Sequence, residues 1–106
     1  MLRMRVAFIA EADNTETYNR VNFLVSRGVS VTLFTLSEHA HSLYSYPREV
    51  VIATLDYEAP SAYKKATKKL YKMLKGGRFD IAVASGLSEY GQLISRVRFS
   101  PAVLII

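Results

Sequence analysis

Five short apolar runs, at residues 5–10, 29–36, 49–55, 79–85 and 102–106, are separated by polar loops and by longer stretches of helical periodicity. This alternation constrains the chain more than any other feature. Consecutive strands that are split by a helix cannot form a hairpin; they pair side by side in a parallel sheet with the helices packed on its faces. The first run, RVAFIA, is apolar without interruption, as a strand covered on both faces must be. The second, VSVTLFTL, alternates and is rich in β-branched residues, which suits a pleated, packed surface.

The intervening stretches supply the helices. In YNRVNFLVSRG, Tyr18, Val21, Leu24 and Val25 fall at helical spacing, with Thr15 or Asn14 as N-cap and Gly28 as C-terminal cap. SEHAHSLYSY reads as a helical turn or a loop that ends before Pro47. Pro60 opens SAYKKATKKLYKMLKGG, where Tyr63, Ala66, Leu70, Met73 and Leu74 line one face, lysines occupy the others, and Gly76-Gly77 end the helix. LSEYGQLISRVRF turns Leu87, Tyr90, Leu93, Ile94 and Val97 inward. With right-handed crossovers the expected fold is a three-layer α/β sandwich, Rossmann-like or flavodoxin-like, with a five-stranded parallel sheet.

With 106 residues, half of them hydrophobic, the chain is a single domain able to bury a core. It has no cysteine, which excludes disulfides and thiolate metal sites. The opening MLRMRVAFIA has arginines and a short apolar run, but Glu11 interrupts it too early for a signal peptide or a membrane span. A cytoplasmic protein is expected. The last run, AVLII, ends the chain on a strand whose helical cover would have to come from elsewhere. The expectation is therefore the front part of a larger protein, or a second copy of the chain closing the flank of that strand.

In an open parallel sheet, ligands bind at the carboxyl ends of the strands, near the point where strand order reverses. Three loops then matter. EADNTET, after strand one, has no glycine, so a pyrophosphate cannot approach its backbone as in a dinucleotide site, and Glu11 and Asp13 repel it. Glu11, Asp13, Asn14 and Thr15 suit the hydroxyls of a neutral ligand, or else form a solvated, capped loop. TLSEHAH, after strand two, contributes Ser37 and His39. His39 and His41 are spaced i, i+2 with no third ligand, so no zinc motif and no metal site is expected. SGLSEYG, after strand four, brings Ser85, Gly86, Glu89 and Tyr90 to a strand-to-helix turn, where helix amides can hold an anion or hydroxyl. It is not a P-loop, because Gln92 and Leu93 stand where Lys and Ser/Thr belong. Glu11, Asp13 and Asp56 also invite comparison with a phospho-accepting receiver domain, but the given chain stops where the lysine after strand five would follow.

The net charge of +5 is concentrated in one helix. Between residues 63 and 78 stand Lys64, Lys65, Lys68, Lys69, Lys72, Lys75 and Arg78, with no acid. A solvated outer face is the default reading. Next comes docking on an anionic membrane surface through Lys64, Lys65, Lys68, Lys69 and Lys72, with Tyr63 and Tyr71 as interfacial aromatics. Nucleic acid is not expected as a partner, because no aromatic–basic interleaving or known motif accompanies the lysines.

Taken together, the chain resembles the N-terminal domain of GT-B glycosyltransferases. RVAFIAEADNTETYNRVNFLVSRGVSVTLFT looks like that family's opening, with Leu24, Arg27, Gly28 and Val31 in its helix-to-strand run. GGRFDIAVASGLSEYGQLIS looks like a later segment, with Asp80 before the strand and Gly91 in the helix, and SPAVLII matches the strand that follows. Val29-Ser30 replace the family's usual His-Glu, and Val83 and Ser85 stand where relatives carry strand-four histidines, so no catalytic histidine is evident. The resemblance implies an acceptor-side Rossmann-like domain that is inactive alone, acting on a sugar or lipid acceptor. The nucleotide sugar would be held by a second domain, so no cofactor is expected in this chain. Some relatives dock peripherally on the inner face of the membrane. A stand-alone flavodoxin-like regulatory or small-ligand-binding module is the alternative.

Overall fold

The computed structural model describes residues 3–36, 44–55, 63–85, 89–97, 99 and 101–105. Five strands, β1 (Arg5–Ile9), β2 (Ser30–Leu36), β3 (Val51–Leu55), β4 (Ile81–Ser85) and β5 (Ala102–Ile105), form one sheet in the order β3-β2-β1-β4-β5. Every pairing is parallel, in the registers Val6↔Val31, Val6↔Ile81, Leu33↔Ile52 and Val83↔Val103. Three helices accompany it: α1 (Thr15–Ser26), α2 (Tyr63–Gly77) and α3 (Glu89–Val97).

Local chemistry fixes the ends of α1. The helix begins three residues before the first apolar position of its periodic pattern, because Asn14 is the N-cap. Its extended backbone lets Oδ1 accept from the amides of Glu16 (2.9 Å) and Thr17 (3.2 Å), which would otherwise lack a helical partner. At the other end Gly28 takes φ +81. Its N–H donates to the Val25 carbonyl and the Val29 N–H to the Leu24 carbonyl, the paired bonds of a Schellman stop.

α2 ends on the Gly76-Gly77 pair, as expected. Gly76 and Gly77 lie inside its last turn, and Arg78 is the residue with positive φ, at 53°. Gly77 serves a packing need: a Cβ there would fall 2.3 Å from the Phe79 ring. That ring lies edge-on to Phe34, with centroids 5.8 Å apart. The β3 ladder starts at Val51 rather than residue 49, after a turn in which the Val50 N–H donates to the Pro47 carbonyl. Asp80 precedes β4 and ties it to β1, accepting from the Arg5 amide at 2.7 Å and donating its own N–H to the Arg5 carbonyl.

Strand order explains the layers. The chain moves one way from β1 to β3, then crosses back to β4 and continues to β5. Right-handed crossovers put the helices of the second half on the face opposite α1. Accordingly Ala7, Ile9, Phe34, Leu36, Leu55, Ala82 and Ala84 bury against Ala66, Leu70, Leu74, Tyr90, Leu93, Ile94 and Val97 of α2 and α3. Phe8, Ala10, Val31 and Leu33 bury on the α1 face with Val21. β5 is the sheet edge, and Val103 and Leu104, which point to opposite faces, are 46% and 43% exposed.

Candidate functional site

The reversal of strand order falls between β1 and β4, so the loop after β1 sits at the carboxyl edge, where open parallel sheets bind their ligands. Glu11 is half-buried there, and Asp13, Asn14 and Thr15 are exposed. Asn14 is occupied as the cap. The Thr15 hydroxyl is hydrogen-bonded to that of Tyr44. Ser85 ends β4 and is half-buried, in register with Ile105. Glu11–Thr15 and Ser85 thus come to the same edge on neighbouring strands.

Tyr90 takes another role. It is buried, its hydroxyl accepts from the Leu36 amide at 3.2 Å, and it lies 3.4 Å from Thr35 Oγ1. Thr35, also buried, accepts from the Ala12 amide at 3.2 Å. A polar strut therefore runs from α3 through the end of β2 to the loop after β1. It holds the loop in place and satisfies polar groups that burial would otherwise penalise. Ser37, His39, His41, Asp56 and Gly86 lie outside the described residues. Glu89 opens α3, and its side chain is likewise outside them.

A tyrosine cluster braces the same loop and escaped the sequence reading. Tyr18 of α1 stacks on Tyr44, with centroids 4.9 Å apart, and meets Tyr46 edge-on at 5.3 Å. The Tyr46 hydroxyl donates to the Ala12 carbonyl. Burial, and then the Asp13 carboxylate nearby, push the Tyr46 phenol up from its ordinary 10.0 to about 12, so it stays neutral and keeps its proton on Ala12. The alternation Tyr44-x-Tyr46 just before Pro47 was the available signal, but nothing local shows that it reaches back to Tyr18.

The edge is therefore rich in hydroxyls and carboxylates, with the amino end of α1 beside it. The carboxylates of Glu11 and Asp13 disfavour an anion, and the absence of glycine keeps the backbone at a distance. A polyol that donates and accepts hydrogen bonds fits this chemistry. Among the described residues, no three histidine, cysteine or acidic side chains gather to hold a metal.

On the outer surface, Lys65, Lys68, Lys69 and Lys72 of α2 are exposed, and Lys69 Nζ also donates to the Thr54 carbonyl at 2.8 Å. Lys64 belongs to α2, with its side chain outside the described residues. Among the described residues, no helix is long and apolar enough to cross a membrane.

Strand order and layering define a Rossmann-like α/β domain, a fold in which ligands bind at the carboxyl edge of the sheet. Residues 5–106, nearly the whole length, match the family model for glycosyl transferase 4-like domains, and the chain belongs to that family. Among solved structures, the crystal structure of UDP-galactose 4-epimerase is similar at 10% identity and a TM-score of 0.49, covering 80% of this chain. The chain spans 38% of that protein's length. No curated protein matches it.

Proposed function

We propose that this domain is the acceptor side of a two-domain GT-B glycosyltransferase, with the donor nucleotide sugar held by the other domain. The carrying observation is the glycine-free loop after β1, with Glu11 and Asp13, at the reversal point of a glycosyl transferase 4-like fold. Acids at this edge favour the hydroxyls of a sugar acceptor and oppose a diphosphate. Glu11, Asp13, Thr15 and Ser85 would orient the acceptor, together with Ser37, His39, Gly86 and Glu89. Tyr90 and Asn14 act as positioning residues. Transfer itself would draw on charge stabilisation of the departing nucleotide by the donor-side domain, so the domain by itself is inactive.

Lys65, Lys68, Lys69 and Lys72 would hold the enzyme on an anionic membrane surface within reach of a lipid-linked acceptor. The support is a helix with a buried apolar stripe, an exposed basic face and no acid.

Amide chemical shifts test the acceptor assignment. Titration with N-acetylglucosamine should move the amides of residues 11–16 and Ser85, and Glu11→Gln with Asp13→Asn should abolish the shifts. Uridine diphosphate should leave them in place. Larger shifts with uridine diphosphate at the same amides would sink the reading.

A further inference from the structure

Two tyrosine rings stand against the loop that carries Glu11 and Asp13. Tyr18, from the first turn of α1, and Tyr44, from the connection between β2 and β3, stack with centroids 4.9 Å apart and planes 27° from parallel. Neither belongs to the two buried clusters of the core. Both are half-buried, so part of each ring stays open to solvent. Core packing therefore does not account for a stacked pair at this place, since large rings stabilise a fold chiefly when they are covered.

The pair is fixed to the loop. The Tyr44 hydroxyl is hydrogen-bonded to that of Thr15. Tyr46 meets Tyr18 edge-on at 5.3 Å, and its hydroxyl donates to the Ala12 carbonyl. The Ala12 amide in turn donates to Thr35 Oγ1 at 3.2 Å. Ala12 is fully buried and lies between the two acids in sequence, so the loop is held at its middle through both an N–H and a C=O. Rings and carboxylates are thus set at one spacing, and a ligand that uses both leaves little to order on binding.

Carboxylates beside an aromatic surface select a shape of ligand. Carboxylate oxygens accept from hydroxyls, whereas the negative face of an aromatic ring attracts C–H groups. A pyranose offers both, with hydroxyls around its rim and axial C–H bonds on its face. An open-chain polyol offers the hydroxyls without a fixed face. A nucleotide could stack its base here, but its phosphates would meet Glu11 and Asp13, which repel them.

We infer that Tyr18 and Tyr44 form a stacking wall for one pyranose ring of the acceptor, whose hydroxyls reach Glu11 and Asp13. This deepens the acceptor reading of the loop after β1 and rests on it. It narrows the ligand from any polyol to a closed sugar ring with an unbroken C–H face, and it makes Tyr44 a specificity-determining residue.

The test is a titration of the 106-residue chain, followed by nuclear magnetic resonance, with N-acetylglucosamine and with its borohydride-reduced, open-chain form. The closed ring should move the amides of residues 11–16, and its own axial H3 and H5 should shift upfield, because a proton above an aromatic face is shielded. The reduced form should bind about fivefold more weakly, the scale of one aromatic contact. Tyr44→Leu keeps apolar bulk without the ring; it should weaken the closed form about fivefold, erase the shielding and leave the reduced form unchanged. Tyr44→Phe keeps the ring without the bond to Thr15 and should retain the shielding. The comparison of closed and reduced forms uses the native chain, so it decides even where a variant is unstable.

Equal binding of the two forms, with the amides of residues 11–16 moving, would overturn the wall and leave the acids as a site for any polyol. Full affinity in Tyr44→Leu, or shielding that survives it, would overturn it likewise. No amide shift with either form would overturn the wall and the acceptor reading together.

Discussion

On the α2–α3 face, Leu55 of β3, Phe34 and Leu36 of β2, Ala7 and Ile9 of β1 and Ala82 and Ala84 of β4 bury in one cluster with the two helices, and Leu70 and Leu93 are sealed from solvent. On the α1 face a single helix covers β1 and β2, with Tyr46 and Val50 packed alongside. Beyond α1 lies an apolar groove of about 400 Å³, walled by Phe23 and Leu24 and floored by Phe8, Val83, Val103 and Ile105. Phe23 is 57% exposed there. Two sequential crossovers run on one face, while the other receives one helix and a loop. A parallel sheet gains most when both faces are covered, so stability is concentrated on the α2–α3 side.

The largest effect should come from that side. Phe34→Ala removes a ring that touches both the helical core and Phe79, and should cost about 4 kcal/mol, read from denaturant unfolding. A loss under about 1 kcal/mol would mean that the two faces are not so different. Next is Asn14→Ala on the α1 side, which strips an acceptor from two helix amides and should cost about 1 kcal/mol. A much larger loss would show that α1, though alone, governs its whole face.

Tyr46 tests the same face by pH. Its folded value is raised, so the neutral phenol is favoured in the fold. That contribution is fully present below the unfolded value of 10.0 and is lost as pH climbs toward about 12. Unfolding midpoints should fall across this window, and Tyr46→Phe should flatten that fall. An unaltered slope in the variant would break the link between the tyrosine cluster and the loop after β1.

The smallest effect is expected at the open groove. Val103→Ser should change the unfolding free energy by less than about 0.5 kcal/mol, as for other exposed positions. Solution scattering of the same pair sharpens this. If the chain dimerises and Val103→Ser returns it to a monomer, a second copy closes the β5 flank and the contrast between the faces disappears.

The layers of this molecule were legible because each rests on local pattern. Val21 of α1, Ala66, Leu70 and Leu74 of α2, and Leu93, Ile94 and Val97 of α3 are inward as their helical spacing requires. Gly28 stops α1 because φ near +81° is open to a residue without Cβ. The end of α2 at Gly76-Gly77 was legible too, but not the packing reason for Gly77, which makes room for the Phe79 ring two residues on. At the site, Glu11 to Thr15 and Ser85 could be placed at one edge from strand order alone. The occupation of Tyr90 could not, because its partners Leu36 and Thr35 are more than fifty residues away.

The sequence by itself determined the parallel α/β frame, the capped entry to α1, the acids of the first loop and the charge of α2. These depend on the order and spacing of side chains within about twenty residues, which is the range over which periodicity, capping and repulsion act. Only the tertiary structure decided that Thr35 and Tyr90 brace the loop after β1, that Tyr18, Tyr44 and Tyr46 meet, and that Arg96 lies across the α2–α3 seam from Lys68 and Lys72. Each of those contacts joins groups that the chain keeps apart, and crossover handedness and packing of two helices on one face bring them within reach.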